Sequence, residues 1–330
     1  MKKFIARGLF FFLFLLLSLI PLEILLRNFH FINDAILSSS VNNFERKKSI
    51  STLFVGNSKF YYGISESNCF EKNNYHNFSF PSETLESTYW KLKYYIDKGQ
   101  LKNLKQVYIQ IERAGIYVQN PIKRNNMYDY STYYKHSFNQ ITENKSILFK
   151  INEWLTAHFT FYRLRPYFID LILNQINYKI VEKGINRNNA NIFGAGFLYS
   201  KYSNIHMKED LPALINDELS YLKTPVNIIQ LNYYDKLINL FKKNGVAVDF
   251  IKIIEPIDLV SVSDSTIQKI LLSNLEKDKN LISKRYPDSK LIELSKYVGS
   301  FTMEDFGDKV HLNNSGSIKF SQLLSYEICK

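Results

Sequence analysis

The chain has 330 residues, 45% of them hydrophobic, which excludes a disordered polypeptide and leaves room for one α/β core carrying an insertion. Its formal net charge of +11 suits anionic surroundings, but no basic run exceeds Arg46-Lys47-Lys48, which argues against a nucleic-acid binder. Six histidines without i, i+4 or H-x-H spacing, and two cysteines without C-x-x-C, give no metal-ligand pattern.

Lys2, Lys3 and Arg7 precede an apolar stretch from Leu9 to Leu26, interrupted by Ser18, Pro21 and Glu23. As a helix it reaches roughly 27 Å, close to the hydrocarbon thickness of a bilayer. A cleaved signal peptide is the competing reading, but no A-x-A-like site follows; the sequence continues Pro21-Leu22-Glu23-Ile24-Leu25-Leu26-Arg27. Residues 1–27 are therefore expected to be an uncleaved single-pass membrane anchor with a cytoplasmic N-terminus and an extracytoplasmic remainder. The anchor holds four basic residues and one acidic, so the exported part keeps a charge of +8. That charge fits anionic headgroups or acidic envelope polymers, and equally a solvated Lys-rich surface. Cys69 and Cys329 can pair in an exported protein, although a penultimate cysteine can also be loose.

Residues 28–50 read as a tether. Ser51 to Gly56 forms a short buried strand, and Tyr75 to Phe80 a second, ending at Pro81. Leu85, Thr88, Tyr89, Leu92, Tyr95 and Ile96 recur at helical spacing within Glu83–Lys98, and Gly99 stops that helix. Val107 to Ile111 is a third strand. Near-continuous apolar strands separated by a helix predict a parallel sheet covered on both faces. The rhythm then breaks over an insertion at about 115–222, expected to be mostly helical. Within it, 146–182 carry two apolar helical segments hinged near Arg163-Leu164-Arg165-Pro166, and 183–207 read as a loop. It resumes with a helix at about 225–243, a strand from Val246 to Ile254, and a helix at about 264–282. A strand from Lys290 to Leu294 and a last helix from Ser315 to about Ile328 complete a domain of 51–330.

Two short segments carry chemistry. Gly56-Asn57-Ser58 leaves the first strand where open parallel sheets bind ligands, at the carboxyl ends of their strands; alone it is a common turn. Asp308-x-x-His311 precedes the last helix. Asp308 can hold the imidazole through one ring nitrogen, leaving the other to take a proton from a serine hydroxyl. An Asp/His pair that merely caps a helix is the bland alternative. Leu312 is expected to pack inward, Asn313 or Asn314 to cap the last helix, and Gly316 to allow close packing. Together the segments propose a catalytic set of Ser58, His311 as general base, and Asp308.

This combination resembles the SGNH/GDSL hydrolase superfamily, in which a G-D-S-type turn after the first strand supplies the nucleophile and a late D-x-x-H the other two residues. The likeness covers about 50–112 and 225–330. It implies a flavodoxin-like three-layer sandwich with a parallel sheet, and no cofactor. The anchor and insertion resemble the membrane-bound branch, which includes proteins of lipoteichoic-acid D-alanylation and alginate O-acetylation. The implied activity is that of an esterase or O-acyltransferase on a cell-envelope or surface polysaccharide. The implied partners are an acylated glycan or envelope polymer and, further, a membrane O-acyltransferase.

The chain departs from that pattern at three places. Asn57 stands where the Asp is usual, supporting the turn. Ser82 falls where the second motif has Gly, which leaves a backbone N–H or hydroxyl near Ser79 or Ser82 as the candidate second oxyanion donor beside the Ser58 N–H. Glu112 replaces the third motif's Asn and cannot donate when ionised; the expectation is a local ion pair with Arg113. These departures keep a second reading open, an inactive membrane-tethered accessory protein that binds a polysaccharide or an acyltransferase. Tyr61-Tyr62, Tyr128, Tyr130, Tyr133-Tyr134 and Tyr233-Tyr234 are candidate sugar platforms or ordinary packing.

Overall fold

A computed structural model describes residues 43–47, 49–65, 70, 74–81, 83–117, 136–159 and 201–329, with isolated positions between 7 and 41. The expected span at 1–27 lies largely outside the described residues, among which no helix is long and apolar enough to cross a membrane. The chain divides into two compact units, Met1–Ala35 with Asn126–Gly184, and Ile36–Asn125 with Ile185–Lys330.

In chain order the described elements begin with β1 (Thr52–Val55), α1 (Ser58–Gly63), β2 (Tyr75–Asn77), α2 (Leu85–Asp97), β3 (Gln106–Gln110) and α3 (Arg113–Tyr117). The other unit contributes α4 (Phe138–Thr142) and α5 (Ile147–His158). The sheet-bearing unit then continues with α6 (Asn204–Lys223), α7 (Ile228–Lys243), β4 (Ala247–Lys252), α8 (Pro256–Val260), α9 (Ser265–Arg285), β5 (Leu291–Glu293) and α10 (Asn314–Ile328).

The strands pair in parallel throughout, in the order 2-1-3-4-5. Both faces are apolar, as the unbroken hydrophobic runs require. Phe54, Tyr108 and Ile251 point to one face, where they share a buried cluster with Phe60 of α1 and Phe320 and Leu324 of α10. Val55, Ile109 and Phe250 point to the other, and Tyr234 of α7 sets its ring 5.8 Å from that of Phe250. Side-chain caps start the covering helices: Thr84 accepts from Ser87 N, Asn227 from Ile229 N and Gln230 N, and Asp264 from Thr266 N and Ile267 N. The parallel α/β architecture expected from the sequence is thus observed.

Besides the short helices α1 and α3, which the sequence did not announce, two further elements differ from expectation. Residues 204–223 form a helix where a loop was expected to run to 207. Ser203 caps it, and Met207, Leu211, Leu214 and Ile215 pack on the core at helical spacing, a period that Pro212 interrupts in the sequence. The strand expected over Val246 to Ile254 is followed at once by a short helix. Pro256 begins α8, and Glu255 and Asp258 cap it reciprocally. Cys329 is disulfide-bonded; Cys69, the chain's only other cysteine, lies outside the described residues.

Candidate active site

The turn after β1 leaves no room for a side chain. A Cβ on Gly56 would sit 2.5 Å from Gln110 Oε1 and 2.7 Å from Gln110 Cβ. Gln110, the last residue of β3, uses this close approach to fasten the start of α1: its Oε1 accepts from Asn57 N (3.1 Å) and Phe60 N (3.3 Å). Asn57 is the helix cap, its Oδ1 accepting from Lys59 N at 3.0 Å. Ser58 therefore opens α1 half-buried beyond the carboxyl end of β1, and its backbone N–H has no partner among the described residues.

The other half of the site is equally braced. Asn313 caps α10 by accepting from Gly316 N (3.1 Å), while its Nδ2 donates to Glu304 O (2.7 Å) and Phe306 O (3.1 Å). A Cβ on Gly316 would meet Asp305 O at 2.0 Å, and Leu312 is fully buried, so the loop before α10 is held tightly against it. Asp308 Oδ1 accepts from the backbone N–H groups of Val310 and His311, both at 2.9 Å.

These two halves, 253 positions apart in sequence, meet. Ser58 Oγ is 2.7 Å from His311 Nε2. On the far side of the ring, His311 Nδ1 is 2.8 Å from Asp308 Oδ2 and 3.0 Å from Oδ1. With the Nδ1 proton directed at Asp308, Nε2 is the acceptor for the serine hydroxyl. Burial pushes the Asp308 carboxyl up, but its bonds to the imidazole and to the two backbone N–H groups outweigh that and hold it below the usual carboxylate range. Tyr62 stands edge-on to the imidazole, 5.6 Å between ring centres, and its phenol is pushed up by burial and by the Asp308 charge.

Ser58 and His311 open onto a cavity of about 320 Å³ that is also lined by Lys59, Glu112, Arg113, Asp217, Tyr221 and Glu255. A second cavity of about 330 Å³ between α8 and α9 holds none of the triad, so its size gives it no claim on the chemistry. Lys59 Nζ lies 3.0 Å from Glu255 Oε1 and 3.5 Å from Glu112 Oε1. Burial opposes the ammonium charge, yet Glu112 and Glu255 outweigh it and move the Lys59 pKa upward. Glu112 Oε2 accepts from Asn57 Nδ2 (2.9 Å) and Gln110 Nε2 (2.8 Å).

The expected Glu112–Arg113 ion pair is not formed. Glu112 faces the serine turn, where Asn57, Gln110 and Lys59 supply its donors. The buried Arg113 turns instead to Asp278 Oδ2 (2.7 Å) and Glu218 Oε2 (2.8 Å) on α9 and α6. Of the expected oxyanion residues, Ser79 is fully buried and does not line the Ser58 cavity, and Ser82 lies outside the described residues. Asn57 and Glu112 spend their polar atoms on each other and on the turn. Tyr61 and Tyr234 are buried packing residues, whereas 128–134 lie outside the described residues.

Sequence reasoning missed Lys59 and Gln110. Position offered a signal for each: Lys59 follows the serine, and Gln110 closes strand β3 at the ligand-binding edge. Among the described residues, no group of three His, Cys, Asp or Glu side chains is arranged to hold a metal ion. No protein-family model and no curated protein matches the chain.

Proposed function

We propose that the protein is a membrane-anchored, SGNH/GDSL-like serine esterase or O-acyltransferase acting outside the cytoplasm on an acylated envelope or surface polysaccharide. The observation that carries this reading is the unbroken relay Ser58–His311–Asp308, with contacts of 2.7 and 2.8 Å, at the wall of an open cavity. The strand order 2-1-3-4-5 is that of flavodoxin-like sheets and supports the finer fold assignment.

In this reading Ser58 Oγ attacks the acyl carbonyl while His311 Nε2 takes its proton, and Asp308 steadies the imidazolium. The carbonyl oxygen becomes an oxyanion facing the unspent Ser58 N–H. His311 then protonates the departing alcohol, leaving an acyl-serine. Water or a sugar hydroxyl, deprotonated by His311, discharges it as free acid or as a new ester. Phe10, Phe11, Phe14, Leu17, Ile20 and Ile24 are helical and more than half exposed, which supports the anchor. A disulfide at Cys329 fits an oxidising compartment.

A fluorophosphonate probe tests the reading. Labelling that vanishes in Ser58→Ala and His311→Ala is expected. A folded wild-type chain that resists the probe would favour the accessory-protein alternative, which the carboxylate of Glu112 at the usual amide position supports.

A further inference from the structure

Helix α5 is built the wrong way round for a helix facing water. Ile147, Leu148, Ile151 and Trp154 are 70%, 76%, 49% and 44% exposed, whereas Glu153 and Thr156 are only 5% and 6% exposed. At 100° per residue the four apolar side chains fall within an arc of about 120°, and Glu153 and Thr156 lie opposite. Lys150 flanks that arc and Lys145 precedes the helix. An arc of this size, apolar outward and polar inward, has an apolar medium or a partner as its proper surroundings. The helix cannot itself span a bilayer, since its 12 residues reach about 18 Å.

The rest of the same compact unit indicates what covers it. Eleven of the 18 large apolar side chains exposed among the described residues belong to this unit, including the six N-terminal ones. We propose that α5 is an interfacial helix that lies flat on the bilayer, with Ile147, Leu148, Ile151 and Trp154 at the boundary between headgroups and acyl chains. Lys145 and Lys150 meet anionic lipid phosphates. Trp154 suits that depth, because its indole combines an apolar body with one N–H donor. This inference rests on the anchored reading, and it adds a second membrane contact that would hold the Asn126–Gly184 segment at the lipid surface.

The chain has only two tryptophans, so Trp90→Phe leaves Trp154 as a single reporter. The full chain is reconstituted into phosphatidylglycerol/phosphatidylcholine vesicles whose acyl chains are either brominated or plain. Bromine is expected to quench most of the Trp154 emission, while aqueous acrylamide leaves it unaffected. Ile147→Glu with Ile151→Glu is expected to reverse both results. If Trp90→Phe does not fold, Trp154→Phe in the otherwise native chain gives the same readout, as loss of the bromine-quenched component. Emission quenched by acrylamide but not by bromine would overturn the inference, and so would emission shielded from both, as beneath a protein partner. Vesicle flotation keeps the two readings apart. A chain that floats with an unquenched Trp154 sinks only the interfacial helix, whereas one that does not float sinks the anchor as well.

Discussion

Asn57 Nδ2 donates to Glu112 Oε2 at 2.9 Å, so an amide and a carboxylate face each other across the turn that carries Ser58. The same Asn57 accepts from Lys59 N, and must therefore be donor and acceptor at once. An aspartate could cap the helix but would press a second carboxylate against Glu112. Asn57→Asp is expected to cost about 1–3 kcal/mol, most of it recovered by adding Glu112→Gln. Denaturant unfolding of the four chains measures the coupling; additive effects would mean that the contact has no energetic weight.

Gly56→Ala should be costly although the substitution is small. The new methyl would sit within 2.5 Å of Gln110 Oε1, and Gln110 can yield only by abandoning the amides of Asn57 and Phe60. A loss of about 1–3 kcal/mol is expected, with slower fluorophosphonate labelling of Ser58. Gln110→Ala in the same chain relieves the clash without restoring the fastening, so its stability should improve more than its labelling.

Lys59→Met removes the cation between Glu112 and Glu255. Two partly buried carboxylates then face each other, and a loss of about 1–3 kcal/mol at pH 7 is expected. Neutralising one carboxylate relieves the repulsion, so adding Glu255→Gln to Lys59→Met should recover part of the deficit in denaturant unfolding. A deficit that Glu255→Gln leaves unchanged would point to lost packing of the lysine stem.

His76 gives a prediction away from the site. It is fully buried beside the stacked rings of Phe44 and Phe78, both ring nitrogens lack partners among the described residues, and burial with Lys47 and Lys91 nearby holds its pKa well below the usual value. Below about pH 6.5 the unfolded chain binds a proton that the folded chain refuses, so stability falls with acidification by up to about 1.4 kcal/mol per pH unit. His76→Phe should remove that slope between pH 6.5 and 5. Glu83, pushed up to about 7 by burial, contributes the opposite slope in both chains and cancels in the difference.

The strands and their covering helices were legible because burial on both faces writes itself as unbroken apolar runs, as in Leu53-Phe54-Val55 and Val107-Tyr108-Ile109. Ser58, Asp308 and His311 were legible from local motifs at opposite ends of the chain. What stayed hidden depends on pairing at long range. Arg113 and Glu112 are neighbours in sequence, yet their partners sit on different elements, and only the folded chain decides which. Helix α6 lies mostly within the insertion expected to be helical, but its start at 204 escaped because Pro212 falls inside its apolar period.

The disulfide at Cys329 bears on how the reactive centre comes together. Cys329 ends α10, the helix whose first turn Asn313 ties to the loop that carries His311. A covalent link at that far end keeps α10 from fraying, so oxidation of a penultimate residue stiffens the support of a histidine 18 positions upstream.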